Sequence, residues 1–152
     1  MRAIGKVLVL LVAAALLLPA GGEARRRRTK RSETRSFDGV ERIEIAVVSG
    51  GCVVTKAEGD EVTVRFESRW DENDDVAMAI DHDGDVLEIR EEGYGSWDGS
   101  CDIHIEVPDG VEIEFNSASG GMSIEGVDGE FHASTASGDF RLEDCAGRFR
   151  LS

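Results

Sequence analysis

The sequence predicts an all-β chain. It reads as a right-handed parallel β-helix-like solenoid with rungs of ~18 residues in its C-terminal half, with N-terminal strands and a hairpin leading into it. Three observations predict this. After residue 36 apolar side chains alternate with polar ones and no helical period is found. Asp83-Gly84-Asp85, Asp109-Gly110 and Asp128-Gly129 punctuate the alternation as turns. The C-terminal part matches itself at a constant offset of 18 residues.

The first element, residues 1–24, stands outside the fold. Arg2 and Lys6 open it, and Val7 to Leu18 is an unbroken apolar run of 12 residues. Pro19 breaks the run, and Gly22 and Ala24 supply small residues before a cut after Ala24, the layout of a secretory signal peptide. The run is too short to cross a bilayer core of about 30 Å as a helix. The expectation is export to the periplasm, the cell surface or the medium. Against it stand seven positive charges directly after the run (Arg25 to Arg28, Lys30, Arg31, Arg35), a flank that resists translocation and favours an inward-facing anchor.

Residues 25–36 form a basic segment, read as a disordered leader. Two other readings stand beside it: docking on an anionic surface such as lipid headgroups, or folding back on the chain's own acidic body. From Phe37 onward there are 8 basic and 29 acidic residues. The whole chain, 152 residues with a formal charge of -14, is sized for one domain, residues 37–152, and is a poor clamp for nucleic acid.

In that domain the strands follow in order. Ile43 to Val47, Val62 to Phe66, Val86 to Ile89, Cys101 to Val107 and Val111 to Phe115 each alternate, with acids keeping the outer face wet. Ala77–Ile80 and Val86–Arg90 form a hairpin. Then Ser119-Gly120-Gly121-Met122-Ser123-Ile124 matches Ser137-Gly138-Asp139-Phe140-Arg141-Leu142. Val127 falls on Cys145, Gly129 on Gly147, Phe131 on Phe149 and Ile113 on Phe131. A unit this short cannot bury its own face, so units stack, at about 4.8 Å per rung. Met122, Ile124, Val127, Phe140, Leu142 and Cys145 are the expected buried layers. Ser49-Gly50-Gly51-Cys52-Val53-Val54 reads as an earlier, degenerate copy, with Gly59 in the place of Gly129.

The Ser-Gly-Gly/Asp-apolar-x-apolar unit, twice over, resembles the bacterial DUF4097 ("putative adhesin") family. So does Ile103-His104-Ile105-Glu106-Val107-Pro108-Asp109-Gly110-Val111-Glu112-Ile113, a strand, a Pro-x-Gly turn and a strand. The likeness runs from about Phe37 to Ser152. It implies an exported envelope or surface protein of repetitive β fold, and it brings no catalytic residues with it. Arg148-Phe149-Arg150-Leu151 is then a strand without a neighbouring rung, an edge through which chains could self-associate.

Few residues point to chemistry. Tyr94, Trp97 and Asp98, in a Gly-rich loop, form a candidate interaction loop that could stack on a sugar or meet a protein; the alternative is aromatics folded over the core. Asp81, Asp83 and Asp85 have the spacing of a calcium loop, but Val86 stands where that loop needs glycine, so a hairpin turn is expected, with a weak calcium site as the alternative. Cys52, Cys101 and Cys145 fall on inward positions and read as small buried hydrophobes, with one disulfide as the alternative. His104 and His132 point outward. No nucleophile elbow, phosphate loop or histidine-rich metal motif is present, so no enzyme and no cofactor is expected. The expected role is a non-catalytic exported surface or scaffold module whose partner is an envelope or extracellular protein or glycan. A cation- or glycan-binding module and a polysaccharide-active enzyme are the alternatives.

Overall fold

The computed structural model describes residues 28–71, 76–93 and 100–152. Those residues form strands and no helix. In chain order the strands are β1 (Arg28–Phe37), β2 (Arg42–Ser49), β3 (Cys52–Lys56), β4 (Val62–Asp71), β5 (Val76–Asp83), β6 (Val86–Gly93), β7 (Ser100–Val107), β8 (Glu112–Ser119), β9 (Met122–Glu125), β10 (Gly129–Ser137), β11 (Phe140–Glu143) and β12 (Gly147–Leu151). They build two six-stranded sheets. Sheet I runs β1-β4-β7-β3-β9-β11 and sheet II runs β12-β10-β8-β2-β6-β5.

Both sheets are mixed, which departs from the all-parallel stack the repeat suggests. The antiparallel pairs, β1·β4, β4·β7 and β5·β6, gather at one end. The reason is local for β5 and β6: Gly84 and Asp85 join them, with Gly84 at φ 64°, and a two-residue loop can only return the chain antiparallel. The other end is parallel and keeps the 18-residue step. Phe131 lies beside Ile113 and Phe149, and Phe140 beside Met122.

The degenerate copy at Ser49 to Val54 also finds its place. Ser49 lies beside Ser119, Cys52 beside Met122 and Val54 beside Ile124. Hence β2 and β3 sit in the middle of the stack, and the chain passes from β7 on one side of them to β8 and β9 on the other. The match stops there. Gly59 lies between β3 and the antiparallel β4, so it has no counterpart in Gly129, which opens the parallel β10.

The core fills the space between the sheets as columns. On sheet II one column is Leu87, Ile43, Ile113, Phe131; on sheet I another is Ile105, Val54, Ile124. All of these are buried, and each such side chain contributes roughly 1.5–3 kcal/mol. Burial fades towards β12. Met122, Ile124 and Val127 are buried as expected, but Phe140 and Cys145 are only half-buried and Leu142 is 38% exposed. No described strand lies beyond β11 or β12 to cover them.

The basic segment read as a leader is in part a strand. β1 pairs with β4 along its whole length, from Arg28 beside Asp71 to Phe37 beside Val62. Arg31, Glu33 and Arg35 share a face with the buried Ser68, Phe66 and Val64, and Arg35 pairs with Glu33. Charges turned inward on an edge strand deter a further strand from adding there.

Candidate functional site

What the fold builds outward are rows of side chains, one per strand, at the strand spacing of about 4.8 Å. On sheet II the alternation that sends Ile43 and Ile45 inward sends Arg42 and Glu44 outward. Parallel pairing then aligns Glu88, Glu44, Glu114, His132 and Arg150 in one row, and Arg42, Glu112, Glu130 and Arg148 in the next. Carboxylates in such rows repel unless a cation is set among them. Arg42 is that cation: its guanidinium lies 3.0 Å from both Glu44 and Glu114 and 3.9 Å from Glu112. The charge of Glu112 and the hydrogen bond to Glu114 push its pKa up. Arg90 similarly serves Asp81 at 3.1 Å and Glu88 at 3.7 Å.

The row signs change across the sheet. Glu88, Glu44 and Glu114 are acidic, and Arg150 is basic. Arg42, Arg65, Arg90 and Arg141 each have a carboxylate partner, whereas Arg148 and Arg150 have none among the described residues. At this basic end, a groove of about 520 Å³ opens beside β8, β10 and β12. Outward-facing Glu114, Asn116, His132, Ser134 and Arg150 line it. His132 Nε2 lies 3.2 Å from Glu130 Oε1, and Asn116 Nδ2 donates to Glu114 Oε1 at 3.2 Å.

A second polar feature ties the rungs together at one corner. Lys56 Nζ donates to Asp109 Oδ2; Asp109 Oδ1 accepts the Asp128 N–H at 3.1 Å; Asp128 Oδ1 accepts the Ala146 N–H at 2.9 Å. The hydrogen bond from Lys56, then the one from the Asp128 backbone, holds the Asp109 carboxyl below the usual carboxylate range. The same bond pushes Lys56 up. Neither groove nor latch was legible beforehand. Each joins residues 18 or more apart, although the 18-residue offset does place Asp128 beside Gly110.

Tyr94, Trp97 and Asp98, the candidate interaction loop, lie outside the described residues. Asp81 belongs to β5 and pairs with Arg90. Among the described residues no group of three or more His, Cys, Asp or Glu side chains is disposed to hold a metal. Cys52 and Cys101 are buried and unbridged. Burial pushes both thiols up to about 12, aided by each other's proximity at Cys52 and by Glu91 and Asp102 at Cys101. Cys145 is half-buried, and its thiol donates to the Ile124 and Glu143 carbonyls. His104 faces outward and contacts Thr55 Oγ1 at 3.0 Å, while His82 sets its ring edge-on against Phe37 at 5.5 Å.

No family model matches the chain, and no curated protein does. Among solved structures it is similar to a "putative cell adhesion protein" from Clostridium sporogenes, with a TM-score of 0.45 and 12% identity over 78% of this chain and 63% of that one. A "putative adhesin" from Parabacteroides distasonis gives 0.42 and 11%, over 84% of this chain and 66% of that one. Another from Parabacteroides merdae gives 0.39 and 10%, over 80% and 95%. The chain thus spans less than two thirds of the length of the first two. No helix among the described residues is long and apolar enough to cross a membrane.

Proposed function

We propose that this chain is an exported, non-catalytic module of the cell envelope or cell surface, a β-solenoid of 18-residue rungs that works by adhesion or as a scaffold. The observation that supports it most is the in-register stacking of β6, β2, β8, β10 and β12. That stacking turns single charged residues into rows on a broad outer face, which suits contact with an extended partner. The partner in this reading is an envelope or extracellular protein or glycan.

Export is tested by fractionating bacteria that express the full chain and the chain lacking residues 1–24. The full chain should leave the cytoplasm and the shortened one should stay. Retention of both would sink the export reading. Turnover of any member of a glycan panel would sink the non-catalytic one.

A further inference from the structure

β1 lends little to the core. Among its described side chains only Phe37, set edge-on to His82, is buried. Arg31, Ser32, Thr34 and Ser36 are exposed, and the half-buried Glu33 and Arg35 pair with each other rather than with the acidic body. The layers explain this. The two-residue corners Gly50–Gly51, Gly120–Gly121 and Gly138–Asp139 step straight from sheet II to sheet I, so β3 faces β2, β9 faces β8 and β11 faces β10. Counting outward from these pairs, β7 faces β6, β4 faces β5, and β1 faces no described strand. A strand with few buried apolar contacts lies at the low-stability end of a fold and opens locally before the rest.

The strand beneath it is different. Val62, Val64 and Ser68 of β4 are fully buried and Phe66 is 6% exposed. Thr63, Arg65, Glu67 and Arg69 alternate with them on the outer face, where Arg65 lies 3.0 Å from Glu67. In a chain of formal charge -14, β4 is balanced, with Arg65 and Arg69 against Glu67 and Asp71. It is also self-complementary. Two copies of β4 set antiparallel about Phe66 place Arg65 of each beside Glu67 of the other on the outer face, and Val64 beside Ser68 on the inner one. An apolar inner row and a balanced outer row equip an unguarded edge to pair with its own kind.

We infer that β1 is a strap over a self-pairing edge, and that once it is released β4 pairs antiparallel with the β4 of a second copy about a two-fold axis. While the strap is in place, its inward Arg31, Glu33 and Arg35 keep the end of sheet I closed to further strands. Its basic residues are also where it can be released. A protease of trypsin specificity hydrolyses the peptide bond after Arg31 or Arg35 when β1 opens, and the shortened remnant no longer covers β4. Neither export nor adhesion enters into this pairing.

The test is limited digestion of the full chain with trypsin, followed by intact mass, circular dichroism and sedimentation. Salt of about 0.15 M screens repulsion between two acidic bodies beyond about 8 Å. Cuts after Arg31 and Arg35 should precede any after Arg42, Lys56, Arg65, Arg69 or Arg90, leaving a chain that begins at Ser32 or Ser36. That chain should stay folded and sediment as a dimer, and the uncut chain as a monomer. Arg65→Glu should weaken the dimer about tenfold, since symmetry turns two opposite-charge pairs into like-charge ones. Arg65→Glu combined with Glu67→Arg rebuilds the pairs and should restore the dimer. A product that stops at Thr29, or an earlier cut inside the body, overturns the strap. So does a trimmed chain that unfolds, since β1 is then part of the core. A trimmed monomer overturns the hidden edge, and a dimer indifferent to both variants overturns the pairing about Phe66.

Discussion

Gly120→Ala probes the corner where the chain leaves sheet II for sheet I. There the backbones of successive rungs touch. A Cβ built on Gly120 would lie 1.9 Å from the Gly50 carbonyl oxygen and 3.1 Å from Ser117 Oγ. One on Gly138 would lie 2.3 Å from the Gly120 oxygen. Carbon and oxygen in contact need more than 3 Å, so the rungs must part by roughly 1 Å or more. The parting strains the bonds that hold the corner: Gly50 N–H to Ser119 at 3.2 Å, Cys52 N–H to Gly121 at 3.0 Å and Gly120 N–H to Ser137 at 3.0 Å.

Overpacking costs about 1–3 kcal/mol, and one weakened hydrogen bond adds about 1 kcal/mol. Stiffening the unfolded chain returns about 0.4–1 kcal/mol. The net loss is about 1–3.6 kcal/mol, or a drop in Tm of roughly 4–14 °C at about 4 °C per kcal/mol for a domain this size. Gly59→Ala is the matched control, since nothing lies within 4 Å of its Cβ position and its φ is unexceptional. It should hold or raise the Tm. Thermal melts followed by circular dichroism decide. A Gly120→Ala variant melting within about 2 °C of the parent would refute the close approach of the rungs.

Other perturbations should follow the columns and the corner latch. Ile124→Asp places a charge at a position 1% exposed between Val54 and Leu142. It should cost about 4 kcal/mol or more and unfold the domain. Leu142→Asp, one rung on and 38% exposed, should cost less than about 1 kcal/mol; equal melting of the two would place the column wrongly. With Ellman's reagent at pH 8, Cys145 should react first, while Cys52 and Cys101, held neutral up to about 12, should react only on unfolding; three thiols reacting at one rate would contradict their burial. The Asp109 carboxyl titrates lower in the fold than in the unfolded chain, where its pKa is about 3.9. Its contribution is therefore present above that value and lost as pH falls through the folded one. Asp109→Asn should flatten the acid limb of the stability profile below about pH 4, and an unchanged limb would show that the latch does not hold in solution.

The 18-residue step was legible for a physical reason. Parallel stacking sets equivalent residues on top of one another, so Ile113, Phe131 and Phe149 must each suit the same column. The corner beneath Gly120 and Gly138 admits no Cβ, so glycine must recur there. Both demands leave a trace at fixed spacing. The central position of β2 and β3 leaves almost none, because Ser49 and Ser119 are 70 residues apart and the antiparallel β4 and β5 interrupt the chain between them. β1 was hidden by its charge. Arg31 and Arg35 read as solvated, only Thr34 between them is a strand former, and the partner that holds them, β4, is some 30 residues on.

The candidate site was illegible because it belongs to rows across the chain. Alternation along one strand reveals that Glu114 and His132 face outward, and nothing along that strand reveals that Arg150 completes their row. Once the register is fixed, the same offset that aligns the core aligns the surface. Val127 falls on Cys145 and Phe131 on Phe149, and by the same step Glu114 falls on His132 and His132 on Arg150. The apolar columns keep their chemistry from step to step because their side chains are close-packed, while at the rim of the inner face Val47 gives way to Ser117 and Thr135. The surface is free to change, and here it goes from acid to imidazole to guanidinium over three strands. In this stack the repeat is broken on the outside while it is obeyed within, and the change of sign between Glu114 and Arg150 is such a break.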